Sequence, residues 1–344
     1  MKKMKWKHLL LATGLLSTIL VGCSSNQISE ANPEASAENK LDFPTKSLNL
    51  IVPFAAGGST DTVGRGVAEA TQKYLGETMI VVNRPGASGT IGVTETSKAQ
   101  ADGHTLGLVT GTTLAMQPLL KELDYTIEDF EFISSVVYNP LLLVVDGKSD
   151  INSIQDLISD SKGKTLKVGH PGVGTVNDIA HAALFKTAGI KVSNVPFKAN
   201  NESIASIMGG HIDIAAVHPM ESAEYIQNGQ LKVLGIFTPE RIDLFPEVPT
   251  IAEELDKAGI DFEFKDYDFS AWYYLAVPKD TPDEVVTYLR DNMKKVIEDP
   301  GFKKNAETLK MSVRSIVGEE IQTQLNAMKE ANQIMIDKFD IGKE

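Results

Sequence analysis

Cysteine is almost absent: Cys23 is the only one in 344 residues. No internal disulfide can form, so packing alone must hold the fold. The signatures of common chemistry are missing too. Neither Gly147-Lys148-Ser149 nor Gly163-Lys164-Thr165 has a glycine five residues before its Gly-Lys pair, so there is no P-loop. There is no G-x-G-x-x-G fingerprint, no H-E-x-x-H helix and no G-x-S-x-G elbow. The histidines beyond the leader (His104, His170, His181, His211 and His218) lack metal-ligand spacing, so neither metal nor other cofactor is expected. Past the leader, no apolar run reaches membrane-spanning length. Positive charge is also short, with 33 basic against 46 acidic residues and a net charge of −13. The balance is more negative still without the leader's lysines. This argues against nucleic acid and anionic lipid surfaces as partners. A local helix dipole can still oppose that field and hold a small anion.

At the N-terminus, Lys2, Lys3, Lys5 and Lys7 precede an apolar core, Leu9 to Val21, too short to span a bilayer comfortably. Leu20-Val21-Gly22 closes it directly before Cys23. The pattern is similar to a bacterial lipobox, which implies cleavage before Cys23 and lipid on its sulfur. Residues 1–22 are therefore expected to be a lipoprotein signal peptide and 23–42 a polar, flexible tether. The remaining chain of about 300 residues exceeds what one hydrophobic core usually accommodates, so two lobes are expected.

The stretch from Ile51 to Gly66 organises the rest. Leu50, Ile51 and Val52 read as a buried strand stopped by Pro53. Gly57-Gly58 can bend sharply and let a ligand approach the backbone. Ser59, Thr60 and Asp61 are good N-cap residues, and Val63, Val67, Ala68 and Leu75 have helical spacing. A helix N-terminus behind a bare loop presents free N–H groups and the positive end of the macrodipole, which favours an anion. Met79 to Val82 and the glycine-rich segment 83–92 repeat the unit, with Ser88 and Thr90 near the second helix start. Leu106 to Val109 is a third strand, ending in Thr110, Gly111, Thr112 and Thr113. In open α/β sheets ligands sit outside the carboxyl ends of strands, so these three loops should converge.

Leu141 to Val145 reads as a crossover into a second lobe, and Tyr273 to Val277 as the crossover back. Between them, Leu166 to Val168 feeds HPGVGTVND (170–178), a glycine loop of the same type with Gly172, Gly174, Thr175, Asn177 and Asp178. Ile212 to Val217 is a strand whose end carries His218, Pro219, Met220, Glu221 and Ser222. His170 and His218 at strand ends suit the lining of a pocket. Thr281 to Glu284 predicts a capping box with Pro282 at the first helical position. A last amphipathic helix carries Ile321, Leu325, Met328, Met335 and Phe339. Alternating strands and helices make the class α/β. Asp61 fits a helix cap or loop brace better than a general base, and Asp213, within an apolar strand, fits a brace. Nothing assembles a nucleophile, a base and an orienting group, so the chain reads as a binder and not an enzyme.

These stretches together resemble the substrate-binding proteins of tripartite tricarboxylate transporters, the Bug family. The likeness is carried by IVPFAAGGSTD, VVNRPGASGTIG, ADGHTLG, DYTIEDF, VPFKANNES, MGGHIDIAAVH, LGIFTPERIDLFPEVPTIAEE, Trp272 and VPKDTPDEVV, in order over nearly all of residues 43–300. It implies the two-lobed type II periplasmic-binding-protein fold, each lobe a mostly parallel sheet flanked by helices, joined by two crossover strands. Residues 43–140 with 265–344 would form one lobe, and 141–264 the inserted other. It implies a small carboxylate held by backbone amides and small hydroxyls, at Ala56, Gly57, Gly58, Ser59 and Asp61, then Gly86, Ala87, Ser88 and Gly89. In the other lobe the counterparts are Gly174, Thr175 and the surroundings of Asn177. It also implies delivery of the ligand to a large and a small membrane subunit.

Two departures stand out. Many members of the family have a histidine just after the second-lobe glycine loop, where this chain has Asp178; Phe197-Lys198-Ala199 replaces the usual tyrosine-lysine-glycine. An acid facing the cleft at Asp178 would repel a second carboxylate. Thr110, Thr112 and His218 complete the expected site. The expectation is a monomeric, lipid-anchored, extracytoplasmic solute-binding protein that closes by hinge motion on a small carboxylate. The alternatives are a ligand-sensing subunit for a membrane receptor, or an enzyme on the same scaffold with Asp61 or Asp178 as base.

Overall fold

A computed structural model of the chain describes residues 41–341, Lys198 excepted. The leader, Cys23 and the tether up to residue 40 lie outside the described residues, as does the Lys198 side chain.

The described strands form two sheets. In chain order, β1 (Leu48–Val52), β2 (Met79–Asn83), β3 (Thr105–Thr110) and β4 (Phe130–Asn139) belong to the first. β5 (Leu142–Asp146), β6 (Leu166–His170), β7 (Val192–Pro196), β8 (Ile214–Val217) and β9 (Leu231–Ile236) build the second, and β10 (Ala271–Pro278) and β11 (Ser312–Val313) return to the first. The spatial orders are β11-β4-β10-β3-β1-β2 and β7-β6-β8-β5-β9. Helices α1 (Ser59–Leu75) and α2 (Thr90–Ser97) follow β1 and β2, and the short α3 (Gly111–Ala115) and α4 (Gln117–Leu120) follow β3. Around the second sheet lie α5 (Ile154–Asp160), α6 (Val176–Thr187), α7 (Asn200–Met208), α8 (Pro219–Gln227) and α9 (Ile251–Lys257). The chain closes with α10 (Asp283–Glu298), α11 (Pro300–Thr308) and α12 (Glu319–Phe339).

Among the named strands, parallel pairing is confined to the strand–loop–helix units: β1 with β2 and β3, and β6 with β7 and β8. The strands through which the chain passes between sheets are antiparallel to their neighbours, β10 to β3 and β4, and β5 to β8 and β9. Each enters its sheet from the side where the crossing lies, which reverses its direction. The two stretches read as crossovers are thus sheet strands. Leu142 to Val145 lie in β5 and Tyr273 to Val277 in β10, and the crossing itself is made by Pro140-Leu141 and the segment 237–270. These connections hold each other: Phe237 N–H donates to Leu141 O at 2.9 Å, and Phe269 N–H to Phe237 O at 3.1 Å.

Four apolar clusters cover the sheet faces. On one face of the first sheet, Val63 and Val67 of α1 pack with Val285, Leu289, Met293 and Val296 of α10. α1 lies close on β1 because residue 64 is glycine; a Cβ there would come within 2.8 Å of Val52 Cγ2. The expected capping box at 281–284 does not form. The Thr281 hydroxyl donates to Pro278 O at 2.7 Å, and α10 begins after Pro282 without a side-chain cap. α12 serves both sheets: Ile321 and Leu325 belong to a first-sheet cluster, and Met335, Ile336 and Phe339 to the second-sheet core.

Candidate functional site

The bend after β1 is set by Gly57, at φ +83°, and Gly58 is the N-cap of α1, without a side-chain cap. Ala56, Gly57 and Gly58 are exposed and Ser59 half-buried. Asp61 braces this loop from below. Its carboxylate accepts from Gly57 N–H at 2.8 Å, Asn83 Nδ2 at 2.9 Å and Arg65 Nε at 2.9 Å, and the residue is 2% exposed. Burial pushes its pKa up, but these bonds outweigh that and hold it below the ordinary carboxylate value. Asn83 Nδ2 also donates to Phe54 O, tying the second loop to the first. Both oxygens of Asp61 are bonded to the scaffold, which fits a brace and not a base.

Around the second loop Gly86, Ala87, Ser88 and Gly89 all have positive φ: 132°, 48°, 57° and 91°. Two are not glycine, and such backbone strain persists only where surroundings enforce it. Here Thr90 Oγ1 and Lys121 Nζ both donate to Ala87 O, at 2.9 and 3.0 Å. Gly89 lies where all three first-sheet loops meet; a Cβ on it would be 2.9 Å from Phe54 Cζ and 3.0 Å from Thr113 Cγ2. Thr110 caps α3, taking Thr113 N–H at 3.2 Å, with Thr112 Oγ1 3.2 Å from its own hydroxyl. Its partner across the sheet, Tyr273, turns its hydroxyl to Ser59 and Thr60 at the start of α1. Burial pushes that phenol up to about 12.

In the second sheet, Thr175 caps α6: its hydroxyl donates to Gly172 O at 2.8 Å and accepts Asp178 N–H at 3.4 Å. Asp178 Oδ2 accepts Gly174 N–H at 2.9 Å, so one oxygen of this buried acid is held by its own loop. Burial raises its pKa despite that bond and the nearby His170 and Lys186. Asn177 Nδ2 donates to Ala216 O at 2.8 Å and to Asn200 Oδ1 at 3.2 Å, locking α6 to β8 and α7. His218, N-cap of α8, places Nδ1 2.9 Å from Pro140 O; the acceptor is a carbonyl, so Nδ1 carries the proton. His170 Nδ1 stays within its loop, at Gly172. His181 is buried with neither ring nitrogen bonded, its ring 5.6 Å from Phe185, and burial lowers its pKa to about 3, so it is a neutral core residue. Asp213 braces, accepting Lys167 N–H at 2.7 Å.

The two halves touch near these loops. Gln117 Nε2 of α4 donates to Gly174 O at 3.2 Å, and Met220 of α8 packs on the first-sheet core. Glu221, next along, is close enough for its charge to act on Tyr273. Its carboxylate faces Asn200 and His218, and burial raises its pKa. The sequence reading missed Asn83, Gln117, Lys121, Asn139, Asn200, Glu221 and Tyr273. Asn83 and Asn200 lie inside the family-like motifs and Glu221 beside His218, but the others meet only through the fold. Among the described residues no group of three or more His, Cys, Asp or Glu could hold a metal ion, and no helix is long and apolar enough to cross a membrane.

Two sheets linked by two crossings, with glycine loops at the strand ends of each brought to the line of contact, define a bilobed solute-binding protein. The chain belongs to the TctC family, described as "Tripartite tricarboxylate transporter family receptor", whose model matches residues 63–337. It is a periplasmic-type, extracytoplasmic solute-binding receptor and not an enzyme. It is 32% identical over 269 residues to a UPF0065 protein from the TAR-I ttuE-ttuC' intergenic region of Agrobacterium vitis, covering 77% of this chain and 75% of that one. It is 30% identical over 262 residues to Protein BugT of Bordetella pertussis, covering 74% and 78%. A solved TctC solute binding protein from Polaromonas superposes with a TM-score of 0.70 at 31% identity, over 86% of this chain and 99% of that one.

Proposed function

We propose that this receptor captures a small organic carboxylate between its two sheets and delivers it to the large and small membrane subunits of a tripartite tricarboxylate-type transporter. The reading is carried by the convergence of the first three loops on Gly89. The start of α1 and the strained turn 86–89 supply backbone N–H groups, held in place by Asp61, Asn83 and Lys121. Each charge-assisted bond to a bound carboxylate contributes roughly 1.5–3 kcal/mol, so a few preset donors can offset its desolvation. Ala56, Gly57, Gly58, Ser59, Gly86, Ala87, Ser88, Gly89, Thr110 and Thr112 would hold it, with Gly174, Thr175 and Asn177 closing from the other side by hinge motion about Pro140 and 237–270. The lipobox-like leader supports anchoring through Cys23 as a lipoprotein.

Thermal-shift titration of the full-length chain tests the ligand class. Compounds bearing a carboxylate should raise the melting temperature by mass action, stabilising the fold by about 2.7 kcal/mol at a hundredfold excess over Kd. Sugars, polyols and plain amines should not. A response confined to compounds without a carboxylate would overturn the reading.

A further inference from the structure

At the crossing between the sheets, several buried polar atoms have no hydrogen-bond partner among the described residues. Asn139, at the end of β4, is fully buried with neither Oδ1 nor Nδ2 bonded. Ser270, beside the Ala271 that pairs with Asn139, has a buried hydroxyl in the same condition. Glu221 Oε2 is likewise sealed and unbonded. It sits in the first turn of α8, between Met220, which packs on the first-sheet core, and the buried Ser222, whose hydroxyl donates to His218 O. Leaving such atoms unpaired costs about 1–3 kcal/mol each, and more for a charge. Their gathering at one crossing points to a polar guest that completes them.

The charges around this place are not symmetric. On the first-sheet side stand the N-terminus of the 17-residue α1 and the Lys121 ammonium on Ala87 O. Asp61 on that side is already committed to Gly57, Asn83 and Arg65, and Asp268 to Ser270 N–H and Trp272 Nε1. On the second-sheet side stand two acids, Asp178 and Glu221. Among the described residues neither makes a salt bridge; Asp178 gives one oxygen to Gly174 N–H, and Glu221 faces the Asn200 amide and His218. Asn200 is fixed by Asn177, which is fixed in turn by Ala216 O, so the Glu221 setting is rigid.

We propose that Glu221 is a specificity-determining residue that receives a cationic amine of the ligand, so that the protein selects small amino-carboxylate zwitterions over di- and tricarboxylates. This rests on the carboxylate reading above: the acid group lies at the first-sheet loops, and the amine points across to Glu221. A second carboxylate in that position would meet two buried acids that, among the described residues, make no salt bridge, a repulsion that a well-placed ammonium would turn into attraction.

Calorimetric titration of the full-length chain with pairs sharing one spacer tests this: β-alanine against succinate, γ-aminobutyrate against glutarate, and α-amino acids against their deaminated acids. At least one zwitterion should bind tenfold or more tightly than its partner acid. Glu221→Gln should weaken that zwitterion by tenfold or more, leave plain monocarboxylates within twofold, and preserve the melting temperature of the free protein. Wild-type preference for the diacid, with or without magnesium, overturns the proposal while leaving the carboxylate reading intact. So does a Glu221→Gln protein with unchanged selectivity. Failure of every carboxylate to bind overturns both.

Discussion

Asp61 and Asp178 hold equivalent places in the two halves: each takes the N–H of the glycine four residues before it, Gly57 at 2.8 Å and Gly174 at 2.9 Å. The same device pins a glycine loop to the first turn of its helix on both sides. The surroundings differ. Asp61 has Arg65 and Asn83 as further partners, whereas Asp178 is buried and makes no salt bridge among the described residues. The charged form is favoured at Asp61 and penalised at Asp178.

Opposite pH behaviour follows. Because the Asp61 pKa is lowered on folding, its stabilisation is present above the unfolded value, about 3.9, and fades as pH falls through the folded one. Asp61→Asn should cost about 2 kcal/mol at pH 7, with the deficit closing below pH ~4. Asp178 is raised, so its contribution is greatest below the unfolded pKa and is lost as pH rises through the folded one. Asp178→Asn, which keeps an acceptor for Gly174, should match or exceed the wild type at pH 7 and converge with it in acid. Urea unfolding across a pH series reads both; a larger neutral-pH loss for Asp178→Asn than for Asp61→Asn would refute the contrast.

Gly89 and Gly57 both have positive φ, but only Gly89 is crowded; around Gly57 a Cβ meets nothing within 4 Å. Gly57→Ala should therefore carry only the left-handed penalty, about 1 kcal/mol. Gly89→Ala must also displace Phe54 or Thr113 and should cost about 2–3 kcal/mol. It should weaken carboxylate binding as well, since the three loops separate. Equal melting temperatures for the two variants would count against the convergence of the loops.

Gly58 separates folding from binding. Its φ of −82° is open to any residue, and the nearest atom to an added Cβ is Ala55 O at 3.5 Å. Gly58→Val should alter stability by no more than about 1 kcal/mol while its branched side chain blocks the exposed loop. Ser59→Ala should weaken binding only modestly, because backbone donors remain. Calorimetry finding the same loss for both would contradict this division.

What could be read from the chain was what is local. Glycine bends and apolar runs placed β1–α1, β2–α2 and β6–α6, but of the capping residues expected in these three units only Thr175 caps; α1 and α2 start from Gly58 and Gly89 without a side-chain cap. β4 escaped notice although it is the longest strand, because FEFISSVVYN mixes faces and carries a Ser134-Ser135 pair. That pair binds the chain near Ser315 and Ile316, remote in sequence. The Thr281 capping motif failed because its hydroxyl finds a nearer acceptor, Pro278 O. Tyr273, Asn139 and Glu221 are ordinary letters in sequence; their meaning comes from two sheets meeting.

α12 gives that meeting a mechanical consequence. Its 21 residues extend about 31 Å, anchored at one end by Ile321 and Leu325 and at the other by Met335, Ile336 and Phe339. Neither half can melt without stripping apolar surface from this shared helix, so the denaturation of one should pull down the other. Heat should therefore unfold the receptor in a single calorimetric transition, although its chain builds two sheets.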